Sequence, residues 1–261
     1  MKRTLIQPNL DHFPTAFHTL LSHATVYDSS CSPEARVYYI EKDGGYYLKS
    51  APKNSLAKEA ALTRYLHTKQ LATEVLAYES TDQDWFLTRR VAGEDCTHPI
   101  YLSDPKRLSE TTGTLLRQLH DLSFTDCPIP QRTQDYLQTA RTNYTVGSGD
   151  KSYLHPVFHH LSTDQVWQIV ENGAPLLKTD TLLHGDYCLP NIMLDDWQFT
   201  GFIDLGNGGV GDRHIDLYWG LWTLQRNLNT TLYHDRFLDA YGRERVDPEV
   251  LKLVSCIESF G

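Results

Sequence analysis

The stretch LLHGDYCLPNIMLDDWQFTGFIDLG, residues 182–206, decides the fold. Its first part is an apolar run that ends in His184-Gly185-Asp186. Two further apolar and β-branched runs, IML and FTGFI, flank the polar residues 195–198, which is the pattern of a β-hairpin. If these runs pair, Asn191 at the entrance and Asp204 at the exit come close together, one loop away from Asp186. The stretch therefore predicts two carboxylates and an amide oxygen around one small volume.

This set of oxygen atoms suits phosphoryl transfer. The transferred group carries its charge on oxygens, so an enzyme supplies hard oxygen ligands for Mg²⁺ rather than a covalent nucleophile. Asn191 and Asp204 suit the metal, and Asp186 suits accepting or orienting the proton of an attacking hydroxyl. Each residue alone has an ordinary alternative as a solvated turn former. The joint pattern, HGD-x4-N followed by IDLG, favours the chemical role.

The segments HGDYCLPNIMLD, FTGFIDLG and DRHIDL closely resemble the aminoglycoside 3′-phosphotransferases, a family with the protein-kinase-like fold. The match is specific within residues 182–217 and looser from about residue 30 to 140. The resemblance implies that Asp186 is the catalytic aspartate at the substrate hydroxyl and that Asn191 and Asp204 hold Mg²⁺. It also implies that Asp216 buttresses the catalytic loop, where the ordinary alternative is a surface acid.

A different reading exists for Gly206–Gly211, which has the form G-x-G-x-x-G after a strand and before a helical pattern. A dinucleotide fingerprint needs a βαβ unit and an acidic partner beyond the helix. The chain beyond Leu228 is predicted to be helical, with no clear second strand. The pattern therefore favours a turn in the phosphotransferase site over a dinucleotide site.

The fold class implied by the resemblance is α/β (α+β), a bilobal protein-kinase-like fold. Residues 1–91 are expected to form an N-lobe with an antiparallel sheet and a helix that cover the nucleotide. Residues 92–261 are expected to form a mainly helical C-lobe with the catalytic loop, the metal site and the aminoglycoside site. Two helix starts are predicted directly, at Asp104-Pro105 and Asp247-Pro248, because each has an aspartate cap before proline.

Two aromatic and β-branched runs flank Asp43-Gly44-Gly45 and predict a hairpin. Under the resemblance, the polar loop before it covers the ATP phosphates, with Ser30 and Ser32 where glycine is common. Lys49 ends the second strand and Glu59 follows on a helical run, so a buried pair would aim the ammonium at the α- and β-phosphates. The ordinary alternative is a surface lysine and a helix-surface charge.

Three further nucleotide contacts rest on the resemblance alone. Tyr47 matches the tyrosine that stacks on adenine, and its ordinary alternative is a strand aromatic packed on the core. The run WFLTRRVAG should be the hinge between lobes, with backbone groups of Arg89 and Val91 facing the adenine edge. The expected cofactors are ATP, or GTP in its place, and Mg²⁺.

The terminal helix is expected to supply carboxylates to a cationic acceptor. Glu258 and Phe260 match the family's ending, and Gly261 carries the terminal carboxylate. Ile257 stands where a second acid is usual, and Asn207 stands where arginine usually follows IDLG. We expect an exposed Glu258–ammonium pair, whose effect grows at low ionic strength because salt screens exposed charges.

The acceptor side is also poor in acids elsewhere. No Asp or Glu lies between Asp150 and Asp164, or from Leu217 to His234. Aminoglycosides carry several ammonium groups, which are held by charge-assisted hydrogen bonds to carboxylates. The nucleotide and catalytic residues therefore fit the family better than the acceptor residues do.

Composition limits the classes of function. The net charge of −9 argues against bulk nucleic-acid binding and is compatible with a cationic small molecule. The five cysteines are odd in number and far apart, which indicates free thiols in a reducing compartment. No apolar run approaches membrane length, and the first residues have no signal-peptide core. We expect a cytoplasmic bacterial protein, a monomer or weak dimer.

The sequence thus predicts an ATP-dependent phosphotransferase that acts on a hydroxyl of an aminoglycoside, the 3′-hydroxyl by resemblance, and so confers antibiotic resistance. An alternative within the class is a kinase of another small hydroxylated amine. An alternative of a different class is a nucleotide-binding module without turnover. Intact catalytic and metal positions argue against that last alternative.

Overall fold

The structure is a computed structural model that describes residues 3–261. Its strands, in chain order, are β1 (Thr4–Ile6), β2 (Thr25–Asp28), β3 (Arg36–Glu41), β4 (Tyr46–Pro52), β5 (Val75–Ser80), β6 (Gln83–Arg89), β7 (Glu94–Asp95), β8 (Thr181–Leu183), β9 (Ile192–Asp195), β10 (Gln198–Phe202) and β11 (Gly209–Gly211). Its helices are α1 (Thr15–Leu21), α2 (Ala57–Thr68), α3 (Pro99–Leu102), α4 (Pro105–His120), α5 (Arg132–Thr145), α6 (Thr163–Gly173), α7 (His214–Leu228), α8 (His234–Tyr241) and α9 (Pro248–Glu258). Short 3₁₀ turns lie at Leu10–His12, Lys151–Tyr153, Pro156–Phe158, Ala174–Leu176, Leu189–Asn191 and Arg243–Arg245.

The chain divides into two compact units. The first holds the residues up to Asp95 together with Met193–Gly206, and the second holds Cys96–Ile192 together with Asn207–Gly261. The first unit contains an antiparallel sheet and the second is mainly helical, which confirms the predicted fold class. The lobe boundary at residue 91 stays a prediction.

The main sheet of the first unit has the strand order β1-β2-β3-β4-β6-β5, with neighbours antiparallel. The predicted hairpin is present as β3 and β4, because Asp43, Gly44 and Gly45 all adopt positive φ and reverse the chain. One face of the sheet is covered by α1, whose Phe17 packs with Trp85 in a buried apolar cluster. This cluster fixes the strand that carries Lys49.

The hairpin predicted within residues 192–202 is also present. Strand β9 lies between β10 and β7 in a three-stranded sheet. Asp196 and Trp197 both have positive φ, as a tight two-residue hairpin turn requires. A side chain at Gly93, just before β7, would place its Cβ 2.0 Å from the carbonyl oxygen of Leu194, so only glycine allows this close pairing.

The second unit is built on helix packing around α4, α7 and α9. Both predicted helix starts are confirmed: the Asp104 side chain accepts a hydrogen bond from the Arg107 N–H, and Asp247 accepts one from the Glu249 N–H. Each cap is followed by proline at the first helical position. A buried cluster with members on α5, α6 and α9 holds the C-terminal residues in place.

Within residues 3–261, no helix combines the length and the apolar character needed to cross a bilayer.

Candidate active site

Lys49 lies at the centre of a charged group in the first unit. Its ammonium is 2.8 Å from a carboxylate oxygen of Glu59 and 2.9 Å from one of Asp204. Burial disfavours the ammonium, but the two carboxylates outweigh this effect, so the pKa of Lys49 lies above its ordinary value. Lys49 is therefore a fixed cation, and Asp204 is a carboxylate with half of its side chain exposed.

Asp204 has an uncommon backbone conformation. Its φ is +59°, in the left-handed region that aspartate and asparagine tolerate better than most residues. Strained residues of this kind tend to cluster at functional sites. The strand exit predicted for Asp204 is present, and the bend turns its carboxylate toward the Lys49 ammonium.

The catalytic loop of the second unit follows β8 and is held from behind by Asp216. One carboxylate oxygen of Asp216 accepts a hydrogen bond from the His184 N–H, and the other accepts one from the Gly185 N–H, each at 2.7 Å. Asp216 lies on α7 and is fully buried. The bidentate contact fixes the two residues that precede Asp186, as the family resemblance implies.

A neutral histidine supports this buried carboxylate. The Nε2 of His120 donates to Asp216 at 3.1 Å, and the Tyr241 hydroxyl donates to His120 Nδ1 at 2.9 Å. Burial lowers the pKa of His120 despite the Asp216 charge, which favours the neutral ring with its proton on Nε2. The contact between His120 and Asp216 spans 96 residues, so spacing in the sequence does not predict it.

Asp186 is itself positioned by Asn191. The Asn191 side-chain amide donates to the Asp186 carbonyl at 3.0 Å and to its carboxylate at 2.9 Å. Because the amide nitrogen is used in this way, the Asn191 side-chain oxygen remains as an acceptor for a cation. Cys188 lies on the same loop, and burial together with the Asp186 charge raises the pKa of its thiol, so it is not a reactive thiolate.

Gly185 shows how tightly the loop is built. Its φ is +88°, and a Cβ there would lie 1.8 Å from the carbonyl oxygen of Asn207. We therefore expect Gly185→Ala to lower the free energy of unfolding by more than about 1 kcal/mol and to reduce turnover, because the backbone around Asp186 must shift. Thermal unfolding and steady-state kinetics measure the two effects.

Gly147 is the matched control for that change. It also has positive φ, +73°, but no atom lies within 4 Å of the Cβ position. Gly147→Ala therefore carries the conformational cost without the collision. Equal losses in the two variants would mean that the approach of Gly185 to Asn207 is unimportant.

Tyr47, Ser30 and Ser32, which are expected around the nucleotide, lie in the first unit and differ in their contacts. Tyr47 stands on β4, its ring lies 5.2 Å from that of Tyr39, and Arg3 donates a hydrogen bond to its hydroxyl. The Ser30 hydroxyl oxygen accepts a hydrogen bond from the Val37 N–H, which joins the two ends of the loop between β2 and β3. Ser32 is exposed. Their contacts with a nucleotide stay predictions.

The expected hinge residues differ in how far their backbone groups are already used. The Arg89 N–H donates to the Glu74 carbonyl, and the Arg89 carbonyl accepts from the Thr73 hydroxyl at 2.7 Å. In the described part of the chain, the Val91 N–H has no backbone acceptor. Val91 is therefore the better placed of the two to donate to an adenine edge, and Arg89 keeps one carbonyl lone pair.

The expectation that Glu258 is exposed is wrong. Glu258 is buried, with 6% of its surface accessible, and its Oε1 accepts hydrogen bonds from Tyr136 at 2.8 Å and Trp219 at 2.9 Å. Burial raises the pKa of Glu258 to about 7, against the opposing effect of these donors. Periodicity could not reveal this burial because Tyr136 and Trp219 are distant in sequence.

Phe260 and Gly261 end the chain beside Glu258. Phe260 is buried against Trp167 and Tyr144, so its visible role is to anchor the terminus. A Cβ at Gly261 would lie 2.8 Å from Glu258 Oε2, which places the exposed last residue next to that oxygen. Contact of either residue with an acceptor stays a prediction.

Asn207 has an arginine beside it that spacing did not reveal. The Arg132 side chain, from the start of α5, donates to the Asn207 carbonyl and lies over the Tyr136 ring. The Arg132 guanidinium therefore lies at the Asn207 backbone. The Asn207 side chain is exposed, and its contact with substrate stays a prediction.

The dinucleotide reading of Gly206–Gly211 is excluded by the fold. Residues Gly209–Gly211 form β11, which pairs antiparallel with β8. In the described chain after β11 come only helices and turns, so no parallel βαβ unit forms. The close approaches at these glycines serve packing against Ile129 and Leu183.

Comparison with known proteins shows the family of this chain. Residues 33–253 match the model of a family described as the phosphotransferase enzyme family. A Lactococcus lactis protein named as a probable aminoglycoside 3′-phosphotransferase is 46% identical over 97% of both chains. The aminoglycoside 3′-phosphotransferase of Streptomyces fradiae is 28% identical over 92% of this chain and 91% of its own.

Solved structures show the same fold. The crystal structure of an aminoglycoside 3′-phosphotransferase of type VIII superposes with a TM-score of 0.75 at 24% identity, covering 89% of this chain and 92% of its own. An aminoglycoside phosphotransferase from Streptomyces rimosus, in complex with ADP and streptomycin, superposes with a TM-score of 0.72 at 22% identity, covering 97% and 99%.

Proposed function

This chain belongs to the phosphotransferase enzyme family, and we propose that it transfers the γ-phosphoryl group of ATP to a hydroxyl, the 3′-hydroxyl, of an aminoglycoside. The observation that carries the proposal is the catalytic loop, in which Asp216 fixes the backbone before Asp186 and Asn191 fixes the carboxylate itself. The product is an aminoglycoside phosphate, and its formation confers resistance.

On the nucleotide side, Lys49 binds the α- and β-phosphates. Its ammonium is held by Glu59, which is buried, and by Asp204, which is half exposed and free to turn toward a metal. A fixed cation next to phosphate oxygens stabilises the charge that builds up as the γ-phosphoryl leaves. Adenine stacks on Tyr47, and the Val91 N–H donates to its edge.

The residues also fit Mg²⁺. This ion is usually bound by one or two protein carboxylates together with substrate phosphates, so a complete protein cage is not required. The Asp204 carboxylate and the Asn191 side-chain oxygen would hold it. When bound, Mg²⁺ neutralises charge on the phosphate oxygens. That role suits hard oxygen ligands such as these.

At the acceptor, Asp186 orients the attacking hydroxyl and takes its proton as the oxygen bonds to phosphorus. The bond between the γ-phosphorus and the oxygen that it shares with the β-phosphate breaks, and ADP is the leaving group, with its phosphates bound by Lys49. Asn191 holds one oxygen of the Asp186 carboxylate in place for this role. A cytoplasmic bacterial location and a monomer or weak dimer stay predictions.

A coupled assay of ADP release across a panel of aminoglycosides tests the proposal. We expect turnover that requires Mg²⁺, ATP and an aminoglycoside together. ADP release at the same rate without acceptor would indicate an ATPase, and Mg·ATP binding without release under any condition would indicate a nucleotide-binding module.

Glu258 gives a pH-dependent prediction. If an acceptor ammonium pairs with ionised Glu258, Glu258→Gln should lower kcat/KM for kanamycin at least about tenfold, while the KM for ATP changes less than about twofold. Burial holds the pKa of Glu258 at about 7, so the loss should be larger at pH 8 than at pH 6. At each pH, kcat/KM of the variant is divided by that of wild type, because the titration of the substrate affects both proteins equally.

Unfolding provides the control for this variant. The folded pKa of Glu258 lies above the ordinary 4.5, so its protonated form stabilises the fold, and that contribution is lost as pH rises through about 7. Glu258→Gln should therefore be at least as stable as wild type at pH 8. A less stable variant with equal losses for both substrates would indicate a folding defect instead of a lost contact. Because Glu258 is buried, the effect should depend only weakly on salt.

A further inference from the structure

Four aromatic side chains form a partly exposed wall in the second unit: Tyr153, Tyr218, Trp219 and Trp222. We call this group the aromatic wall. The rings of Trp219 and Trp222 lie 5.3 Å apart, and Tyr153 lies 5.6 Å from the first and 5.8 Å from the second. The Tyr218 hydroxyl donates to the Tyr153 carbonyl, which ties the 3₁₀ turn of Tyr153 to α7.

The aromatic wall is less buried than the core beside it. Trp167 and Phe260, which fill the neighbouring core, are 6% and 3% exposed. Every member of the aromatic wall is partly exposed, and Tyr218 and Trp219 also pack against that core. Aromatic faces that remain open beside polar groups are the surfaces on which cations and sugar rings are held.

The aromatic wall is joined directly to Glu258. Trp219 donates its indole N–H to Glu258 Oε1, and Tyr136 donates to the same oxygen. Oε2 lies on the side of Gly261, the exposed chain end. The wall therefore borders a buried carboxylate with one oxygen fully used and the other directed toward the last residue.

The wall also borders the catalytic loop. Thr223 follows Trp222 on α7 and accepts a hydrogen bond from the Leu189 N–H. The Cys188 thiol interacts with both Thr223 and Asp186. One helix thus carries the ring of Trp222 and the hydroxyl that fixes the catalytic loop. The Asp186 charge also helps to raise the pKa of Glu258, which borders the wall.

The charge around the wall is unusual for a site that binds a polycation. No acid occurs from Leu217 to His234 or between Asp150 and Asp164, the segments that supply the rings. Arg226 lies over the Trp222 ring, with its guanidinium carbon 5.2 Å from the ring centre. A multiply charged ligand would meet a fixed like charge there, with few carboxylates to offset it.

We propose that the aromatic wall is the specificity-determining surface for the acceptor, and that it selects an aminoglycoside of low positive charge, stacking a sugar ring or a delocalised cation on Trp219 and Trp222 with one cationic group at Glu258. This inference rests on the proposed phosphotransferase function and specifies the substrate class of the same site. A carboxylate-lined site would select by number of ammonium groups, whereas this one selects by stacking.

The test compares Trp222→Leu, which removes the ring, with Trp222→Phe, which keeps an aromatic face. We expect Trp222→Leu to lower kcat/KM for a preferred acceptor such as kanamycin about tenfold, with the KM for ATP unchanged within about twofold. Trp222→Phe should recover most of the loss. Equal kinetics of wild type and Trp222→Leu for every accepted aminoglycoside would overturn the proposal.

A second measurement does not depend on how these variants fold. In wild-type protein, the acceptor KM should rise only shallowly with ionic strength, as expected for about one ion pair, and kanamycin should be preferred to the more highly charged neomycin. Arg226→Gln should raise kcat/KM for neomycin several-fold and change that for kanamycin less. A steep salt dependence with neomycin preferred would overturn the proposal.

The outcomes separate this inference from the function on which it rests. Phosphorylation of aminoglycosides without any effect at Trp222 or Arg226 leaves the phosphotransferase function intact and removes the aromatic wall from acceptor recognition. Absence of phosphorylation for all aminoglycosides contradicts the function itself.

Discussion

Asp186→Asn is expected to keep the fold and nucleotide binding and to lower kcat at least ~10²-fold, the range for loss of a positioned proton acceptor. The amide of the variant can still accept the hydrogen bond from Asn191, which reaches the Asp186 carboxylate at 2.9 Å. It cannot take the proton of the attacking hydroxyl. Steady-state kinetics with saturating ATP measure the loss, and titration with Mg·ADP checks nucleotide binding.

The matched control is Asp126→Asn, which makes the same chemical change at an exposed residue outside the catalytic loop. It should leave kcat unchanged. If folded Asp186→Asn turned over at a near-normal rate, the proton would have another acceptor, and the role assigned to the loop would be lost.

Asp204→Ala is expected to abolish turnover and to weaken Mg·ATP binding, because it removes the proposed carboxylate ligand of the metal. It also releases Lys49 from one of its two carboxylates, the one at 2.9 Å. Calorimetric titration with ATP, with and without Mg²⁺, separates these effects. The affinity gained from Mg²⁺ should disappear, while metal-free ATP should bind at least as well as in wild type.

Asp204→Asn is the control for backbone strain at this position. Asparagine tolerates the φ of +59° at this position better than alanine does, so its fold should be less perturbed. It should still lose most of the Mg²⁺ dependence, because a neutral amide is a weaker ligand for a hard cation. An Asp204→Asn variant with normal Mg²⁺ dependence would remove Asp204 from the metal site.

Local signals in the sequence predicted the elements that depend on local chemistry. The β3–β4 hairpin follows from Asp43-Gly44-Gly45, and the starts of α4 and α9 follow from aspartate caps before proline. The hairpin after Asn191 was predicted in the same way. These features are set by residues within a few positions of each other, so spacing and residue type suffice to predict them.

The acceptor side shows where such prediction ends. Glu258 lies at a position that matches the family, yet its burial comes from Tyr136, 122 residues away, and Trp219, 39 residues away. The support of Asp216 by His120 spans 96 residues. Contacts of this kind depend on how helices pack, and one sequence carries no periodic signal for them.

The same limit explains the wrong expectation that Glu258 is exposed. A terminal acid on a polar helix end is ordinarily exposed. Here α9 ends inside an apolar cluster that includes Ile257 and Phe260, so Glu258 is drawn into it. Ile257, which stands where a second acid is usual, is buried in the same cluster.

The most direct test of phosphoryl transfer to the 3′-hydroxyl is the structure of the product. Kanamycin and streptomycin would each be incubated with the protein, ATP and Mg²⁺, and the products analysed by mass spectrometry and ³¹P–¹H correlation NMR. The proposed function predicts one added phosphate on an aminoglycoside, attached at the 3′-hydroxyl where that group exists, and its loss in Asp186→Asn. No phosphorylated aminoglycoside, or equal product with Asp186→Asn, would contradict it.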